Sequence, residues 1–348
     1  MNPEKDTSLS KTSKRNGSNV EKITYSKNVF LPVTNLCRNR CAYCGFRGEP
    51  GNGAWIMSKE EILELVKRGK KAGCSEALIT CGERPEKYDM MREKLDDWNY
   101  ETFVDYIINL SKEIIKLNVL PHTNLGVLEK SELKRLRKWN ASMGLMLESA
   151  VELPAHDHSP GKTPGLRLEM IENAGKLKIP FTTGILIGIG ENWRDRITSL
   201  VKIRELHKKY GHIQEVIVQP FLPKRETPME DRSRPDQSKI LNTILTAKSI
   251  MPNMSIQIPP NLTDNYLNYL LVGVRDLGGI SNITPDFINP DRPWPKIEKV
   301  EKELENKKFE LKERLPIYPE FVKKPEFMSS KIKEVVKTLS DKEGYRRR

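Results

Sequence analysis

The 348-residue chain contains no apolar run near the roughly 18 residues that a membrane span needs, so no membrane helix is expected. Its first 21 residues are polar and rich in Ser, Lys and Asn; with no apolar segment among them, no secretory leader is expected. Cysteine is scarce: the five are Cys37, Cys41, Cys44, Cys74 and Cys81. An odd count with three close together does not suit a secreted disulfide framework; it points to a reducing cytoplasm and a metal role. Histidine is also limited to five residues, none pairing with a serine or cysteine as a triad. Internal repeats and low-complexity domains are lacking.

Charge of both signs is plentiful, with a net +12. A basic balance permits nucleic-acid binding. Here, however, the lysines are spread widely, and the densest charged stretch, 296–314, mixes both signs. The charge is read as an aid to solubility, with no nucleic-acid partner expected.

Strand-like and helix-like segments alternate along the chain, which predicts an α/β fold built on a parallel sheet. Strands are expected at 29–33, 77–80, 119–124, 143–147, 181–189, 215–218 and 255–258, with the region around 278–280 closing an eighth unit. Helices are expected at 58–71, 100–117, 130–139, 165–177, 192–209, 237–250 and 264–272. A (β/α) barrel of the TIM type, full or partial, takes about 250 residues and fits. The division predicted is a disordered tail at 1–24, the barrel at 25–289, and a helical extension at 290–348 with one amphipathic helix over 296–314. The last twenty residues are expected to fray.

Three cysteines carry the strongest chemical signal. Cys37, Cys41 and Cys44 follow the first strand in a C-x3-C-x2-C spacing. Thiolates are soft ligands suited to iron–sulfur clusters, and four normally saturate a [4Fe–4S] cube. Three without a nearby fourth leave one iron open, as a catalytic metal site requires. Cys74 and Cys81 read as buried inert thiols.

Barrel sites lie where strands deliver their C-terminal ends. Gly82 and Glu83 follow the second strand: the glycine lets a ligand approach the backbone, and the carboxylate suits an ammonium group. Alone, Glu83 is a surface glutamate; beside the cysteine loop it reads as part of a site. Glu148 ends the fourth strand and can accept from a hydroxyl or amine. Arg167 can clamp a carboxylate or form a plain salt bridge to Glu169 or Glu172. In the fifth strand, Gly184 and Gly188 flank apolar residues and leave room for a flat ring, unless they are structural. His122 and Asn124 end the third strand, placed for contact with a polar substrate.

The cysteine loop, with Tyr43 just before Cys44, resembles the signature of the radical S-adenosylmethionine (SAM) superfamily. That resemblance implies a [4Fe–4S] cluster on Cys37, Cys41 and Cys44, with SAM chelating the open iron. Gly82-Glu83 is similar to the superfamily's motif for the SAM amino group, with Cys81 in place of its first glycine. The strand 184–191 is similar to the G-x-I-x-G-x-x-E pattern, with Leu186 for isoleucine. The resemblance implies adenine contacts for Tyr43 and for the strand bearing Gly184 and Gly188, and SAM contacts for Glu148 and Arg167.

Longer strings, 30–41, 82–86, 122–126, 144–149, 257–262 and 276–281, resemble the CofG family. The resemblance spans about residues 27–321. It implies ring closure of a hydroxybenzyl-ribityl-uracil adduct supplied by a CofH-type enzyme, in deazaflavin coenzyme biosynthesis. Methionine, 5′-deoxyadenosine and ammonia are released, which makes the family carbon–nitrogen lyases, and an electron donor is required. The rival readings are another radical SAM enzyme, CofH-like or biotin synthase-like, and a zinc-stabilised nucleic-acid-binding protein.

Overall fold

Nine parallel strands form the sheet in a computed structural model that describes residues 20–347. They are β1 (Glu21–Pro32), β2 (Glu76–Thr80), β3 (Leu120–Asn124), β4 (Ser142–Gly144), β5 (Phe181–Ile187), β6 (Ile213–Pro220), β7 (Ser255–Gln257), β8 (Asp276–Ile280) and β9 (Phe309–Arg314). Each of β1 to β7 pairs with the next, and β8 returns to β1, so eight strands close into a barrel. The connecting helices lie outside it. This is the predicted fold class.

Local chemistry accounts for the elements. The helix Lys59–Lys71 begins with a capping box between Ser58 and Glu61, carries acid in its first turn and base in its last, and buries Ile62 and Val66. Every residue of β5 is buried, as expected for a strand covered on both faces of a parallel sheet. The helix Asp89–Asp97 was not foreseen.

The predicted ends need correction. Residues 1–19 lie outside the described residues, but β1 already begins at Glu21, before the expected boundary at 24/25. The stretch 296–314 is not one helix. A helix runs Ile297–Glu305, Lys308 turns with φ of 63°, and β9 follows. Beyond the turn, Phe309 and Leu311 alternate with charged residues, a period of two that suits a strand. β9 lies along the first half of β1, from Glu21 opposite Phe309 to Ser26 opposite Arg314, while β2 takes the second half.

Residues 329–347, expected to fray, are packed instead. Ser329 caps a helix Ser330–Leu339, which buries Ile332, Val335, Val336 and Leu339 against Leu315, Ile317 and Phe321. The backbone N–H of Arg346 donates to Glu313 O at 3.0 Å, and that of Arg347 to Leu339 O at 2.8 Å. Apolar side chains at helical spacing give this segment a packed face.

Arg314 ends β9 inside a buried polar group. Its Nε lies 2.6 Å from Asp276 Oδ2, one Nη lies 3.4 Å from Glu215 Oε2, and its guanidinium stacks 4.2 Å from the Tyr318 ring centroid. The charges sit on β6, β8 and β9, so this group ties the extension to the barrel.

Candidate functional site

The loop leaving β1 is tied down on both sides. Arg38 N–H donates to Glu83 O (2.9 Å), Arg40 N–H to His158 O (3.0 Å) and Ala42 N–H to Ala155 O (2.9 Å). Cys37, Cys41 and Cys44 are free, half-buried thiols that line one cavity of about 270 Å³. Cys81 lines it too, whereas Cys74 is buried elsewhere and donates to Asn28 O.

Donors aim at the sulfurs. The Glu83 N–H lies 3.2 Å from Cys37 Sγ, and the Ser159 hydroxyl 3.3 Å from Cys41 Sγ. Burial pushes the Cys37 thiol up to about 11 and raises that of Cys41, which Lys162 opposes. Unaided, these thiols stay protonated, and a bound metal would deprotonate them. Hydrogen bonds to sulfur, and nearby cations, suit thiolates that carry an iron–sulfur cluster. A single zinc ion draws its ligands to about 2.0–2.3 Å. Among the described residues no three Cys, His, Asp or Glu side chains converge on one ion in that way. A cube asks for less convergence, because each thiolate takes a different iron.

Glu83 is 4 % exposed and held by three partners. Arg38 Nε donates to its Oε1 at 2.8 Å, Val127 N–H to its Oε2 at 3.0 Å, and an Arg167 Nη lies 3.6 Å from Oε2. Two glycines make room. A Cβ on Gly82 would lie 2.0 Å from Leu36 O, and one on Gly161 would lie 1.6 Å from Glu83 Oε1. Arg167 is held by Met146 O (2.6 Å) and Gly161 O (2.8 Å). It makes no pair with Glu169 or Glu172; the latter pairs with Lys176 and Lys209.

Glu148 sits at φ of 62° and accepts from Lys162 Nζ at 2.6 Å. Burial would raise its carboxyl, but Lys162 and Arg167 hold it below the ordinary value. The Tyr43 hydroxyl lies 3.0 Å from His156 Nε2, and the Lys162 ammonium 5.9 Å from its ring centroid. Burial pushes His156 down to about 4, so the ring stays neutral at pH 7.

The cavity gathers Tyr43, Gly82, Glu83, Glu148, Arg167 and Asn124 with the three cysteines. His122, Gly184 and Gly188 do not line it. His122 Nδ1 lies 2.7 Å from Ser142 Oγ, one barrel layer below Asn124. A Cβ on Gly184 would lie 2.2 Å from Ile217 O, a structural close approach. Gly188 opens on a separate cavity beside Glu191 and Arg196; Leu186 is the residue of that strand that reaches the cysteines.

A sequence model of the Radical SAM superfamily matches residues 31–203. The chain is 48% identical over 334 residues to the 7,8-didemethyl-8-hydroxy-5-deazariboflavin synthase of Methanopyrus kandleri, covering 93% of this chain and 100% of that protein. It is 51% identical over 328 residues to the synthase of the same name from Methanosarcina barkeri, covering 94% and 100%. The chain belongs to the 7,8-didemethyl-8-hydroxy-5-deazariboflavin synthase family.

Membership of this synthase family, within the radical SAM superfamily, implies a [4Fe–4S] cluster and SAM as cofactors. The barrel is similar to that of methylornithine synthase PylB, with a TM-score of 0.63 at 21% identity over 83% of each chain. It is also similar to that of the hydrogenase maturase HydG from Carboxydothermus hydrogenoformans, with a TM-score of 0.65 at 18% identity over 91% of this chain and 78% of that one. Ser159, Lys162, Lys224 and Gln219 of this synthase family member were not read from the sequence. They lie outside any compact motif, and only the folding of the 153–162 segment and the β6 end beside the cysteine loop brings them in.

Proposed function

We propose that this protein closes the deazaflavin ring. It converts 5-amino-5-(4-hydroxybenzyl)-6-(D-ribitylimino)-5,6-dihydrouracil to 7,8-didemethyl-8-hydroxy-5-deazariboflavin, releasing ammonia, methionine and 5′-deoxyadenosine as a carbon–nitrogen lyase. One observation carries the reading: three free thiols, Glu83 and Arg167 share one cavity at the C-terminal mouth of the barrel, in a chain about half identical to deazaflavin synthases.

In this reading Cys37, Cys41 and Cys44 hold the cluster. When bound, the cluster and SAM would supply the radical chemistry that ring closure needs. The chain's own residues do the placing. Glu83, fixed from one side by Arg38 and from the other by Val127 N–H, keeps lone pairs for an ammonium group. Arg167, anchored on two backbone carbonyls, directs its charge at a carboxylate. Glu148 takes ribose hydroxyls, and Tyr43 with Leu186 forms an apolar wall for adenine. The Glu83 N–H and Ser159 hydroxyl temper charge on the sulfurs.

The adduct comes from a CofH-type enzyme, and a reductant delivers the electron. We place it in the cytoplasm, as its reduced cysteine set suits; among the described residues no helix is long and apolar enough to cross a membrane. The test is anaerobic incubation of reconstituted protein with SAM, dithionite and the adduct, read by mass spectrometry. The deazaflavin is expected alongside 5′-deoxyadenosine; SAM cleavage without deazaflavin overturns the assignment.

A further inference from the structure

The cavity has two unlike walls. On the cysteine side stand Glu83, Arg167, Glu148 and Lys162, all charged. The ends of β2, β3 and β6 contribute Thr80, Asn124 and Gln219, all neutral and half-buried. Lys224, whose side chain packs against Gly45 of the cysteine loop, donates to Ile288 O at 2.6 Å.

Most carboxamides near the site are committed to the protein. Asn35 bonds Gly53 O and Trp55 N–H, Asn39 accepts from Gly161 N–H, and Asn289 donates to Asp286. Asn124 and Gln219 differ: among the described residues neither side-chain amide has a protein hydrogen-bond partner. Thr80 Oγ1 donates to the backbone oxygen of Asn124 at 3.2 Å, which fixes the strand end without using the side chain. Each amide therefore offers one acceptor and one donor edge to the cavity.

We propose that Asn124 and Gln219 read the imide edge of a neutral pyrimidinedione ring, an assignment that rests on the deazaflavin reading above. An imide presents C=O, N–H and C=O in one plane. A carboxamide oxygen accepts from the ring N3–H, and a carboxamide NH2 donates to a ring carbonyl, the pairing by which Asn and Gln recognise base edges. Held on two sides, the ring is turned so that one carbon faces the charged wall.

The test compares kcat/KM for the adduct and for its N3-methyl analogue, with SAM cleavage followed in the same tubes. The wild type is expected to prefer the N3–H substrate by about ten- to a hundredfold. Gln219→Ala and Asn124→Ala are expected to bind SAM as the wild type does and to lose most of that preference. Gln219→Glu, which exchanges the NH2 donor for an acceptor, should raise KM for the parent adduct further. Equal use of both substrates by the wild type overturns the proposal without any variant, as does undiminished preference in both alanine variants. If the wild type makes no deazaflavin from the parent adduct, the reading beneath falls, and this assignment with it.

Discussion

Arg38 and Glu83 join the loops that leave β1 and β2 by two contacts: Arg38 N–H donates to Glu83 O at 2.9 Å, and Arg38 Nε to Glu83 Oε1 at 2.8 Å. The residue after the first cysteine thus orients the carboxylate assigned to the SAM amino group. Glu83→Gln keeps the shape and removes the charge. The expected outcome is SAM binding weakened by about tenfold or more, equivalent to one charge-assisted hydrogen bond, with iron content retained. Calorimetric SAM titration beside iron analysis checks it; parallel loss of iron would count against the role.

The same carboxylate makes Gly161 a sensitive position. A methyl there would meet Glu83 Oε1 at 1.6 Å, so one of the two must move. Gly161→Ala is expected to lower SAM affinity about as much as Glu83→Gln does, although residue 161 offers no side chain to SAM. Thermal unfolding of the variant separates this from general destabilisation.

Replacing Cys37, Cys41 or Cys44 by Ala is expected to take iron from about four per chain toward none and to abolish reductive SAM cleavage. Cys81→Ser should retain the brown cluster, even though Cys81 lines the same cavity. Iron analysis and electron paramagnetic resonance of anaerobic material decide it. Loss of the cluster in Cys81→Ser would mean a fourth protein thiolate.

Burial, helped by the Arg314 charge, pushes His122 down to about 3, well below its ordinary 6.5. The unfolded chain therefore binds the extra proton first as pH falls. Stability from neutral His122 is complete above pH 6.5 and drains away as pH drops toward 3. The slope approaches about 1.4 kcal/mol per pH unit in that window. Urea unfolding between pH 7 and 4.5 should show a shallower acid loss for His122→Asn than for the wild type.

Arg314 faces Asp276 and Glu215 with 4 % of its side chain exposed. Arg314→Met leaves both carboxylates buried without their cation. The expected cost is about 3–5 kcal/mol, measured as a shift in the urea midpoint.

The cysteine loop, Gly82-Glu83 and the order of βα units were legible because each is written in a short run of sequence. His122 does not line the cavity with Asn124 because side chains two apart on a strand share a face but not a layer: Asn124 reaches the mouth, His122 the floor beneath. The same parity exchanges Gly184 for Leu186. β9 was hidden because a helix and a strand share one charged stretch, and its partner lies almost 290 residues earlier, at Glu21. Lys162 and Gln219 carry no motif, since neutralising a carboxylate or presenting a free amide depends on which strand ends meet.

The pairing of β1 with β9 also sets an order of events in the life of the chain. A nascent polypeptide that has not yet emitted residue 309 carries the cysteine strand with half of one edge bare. The thiol loop leaves the other end of that strand, where Asn28–Pro32 pair with β2, so anchoring the loop and covering the edge are separate events.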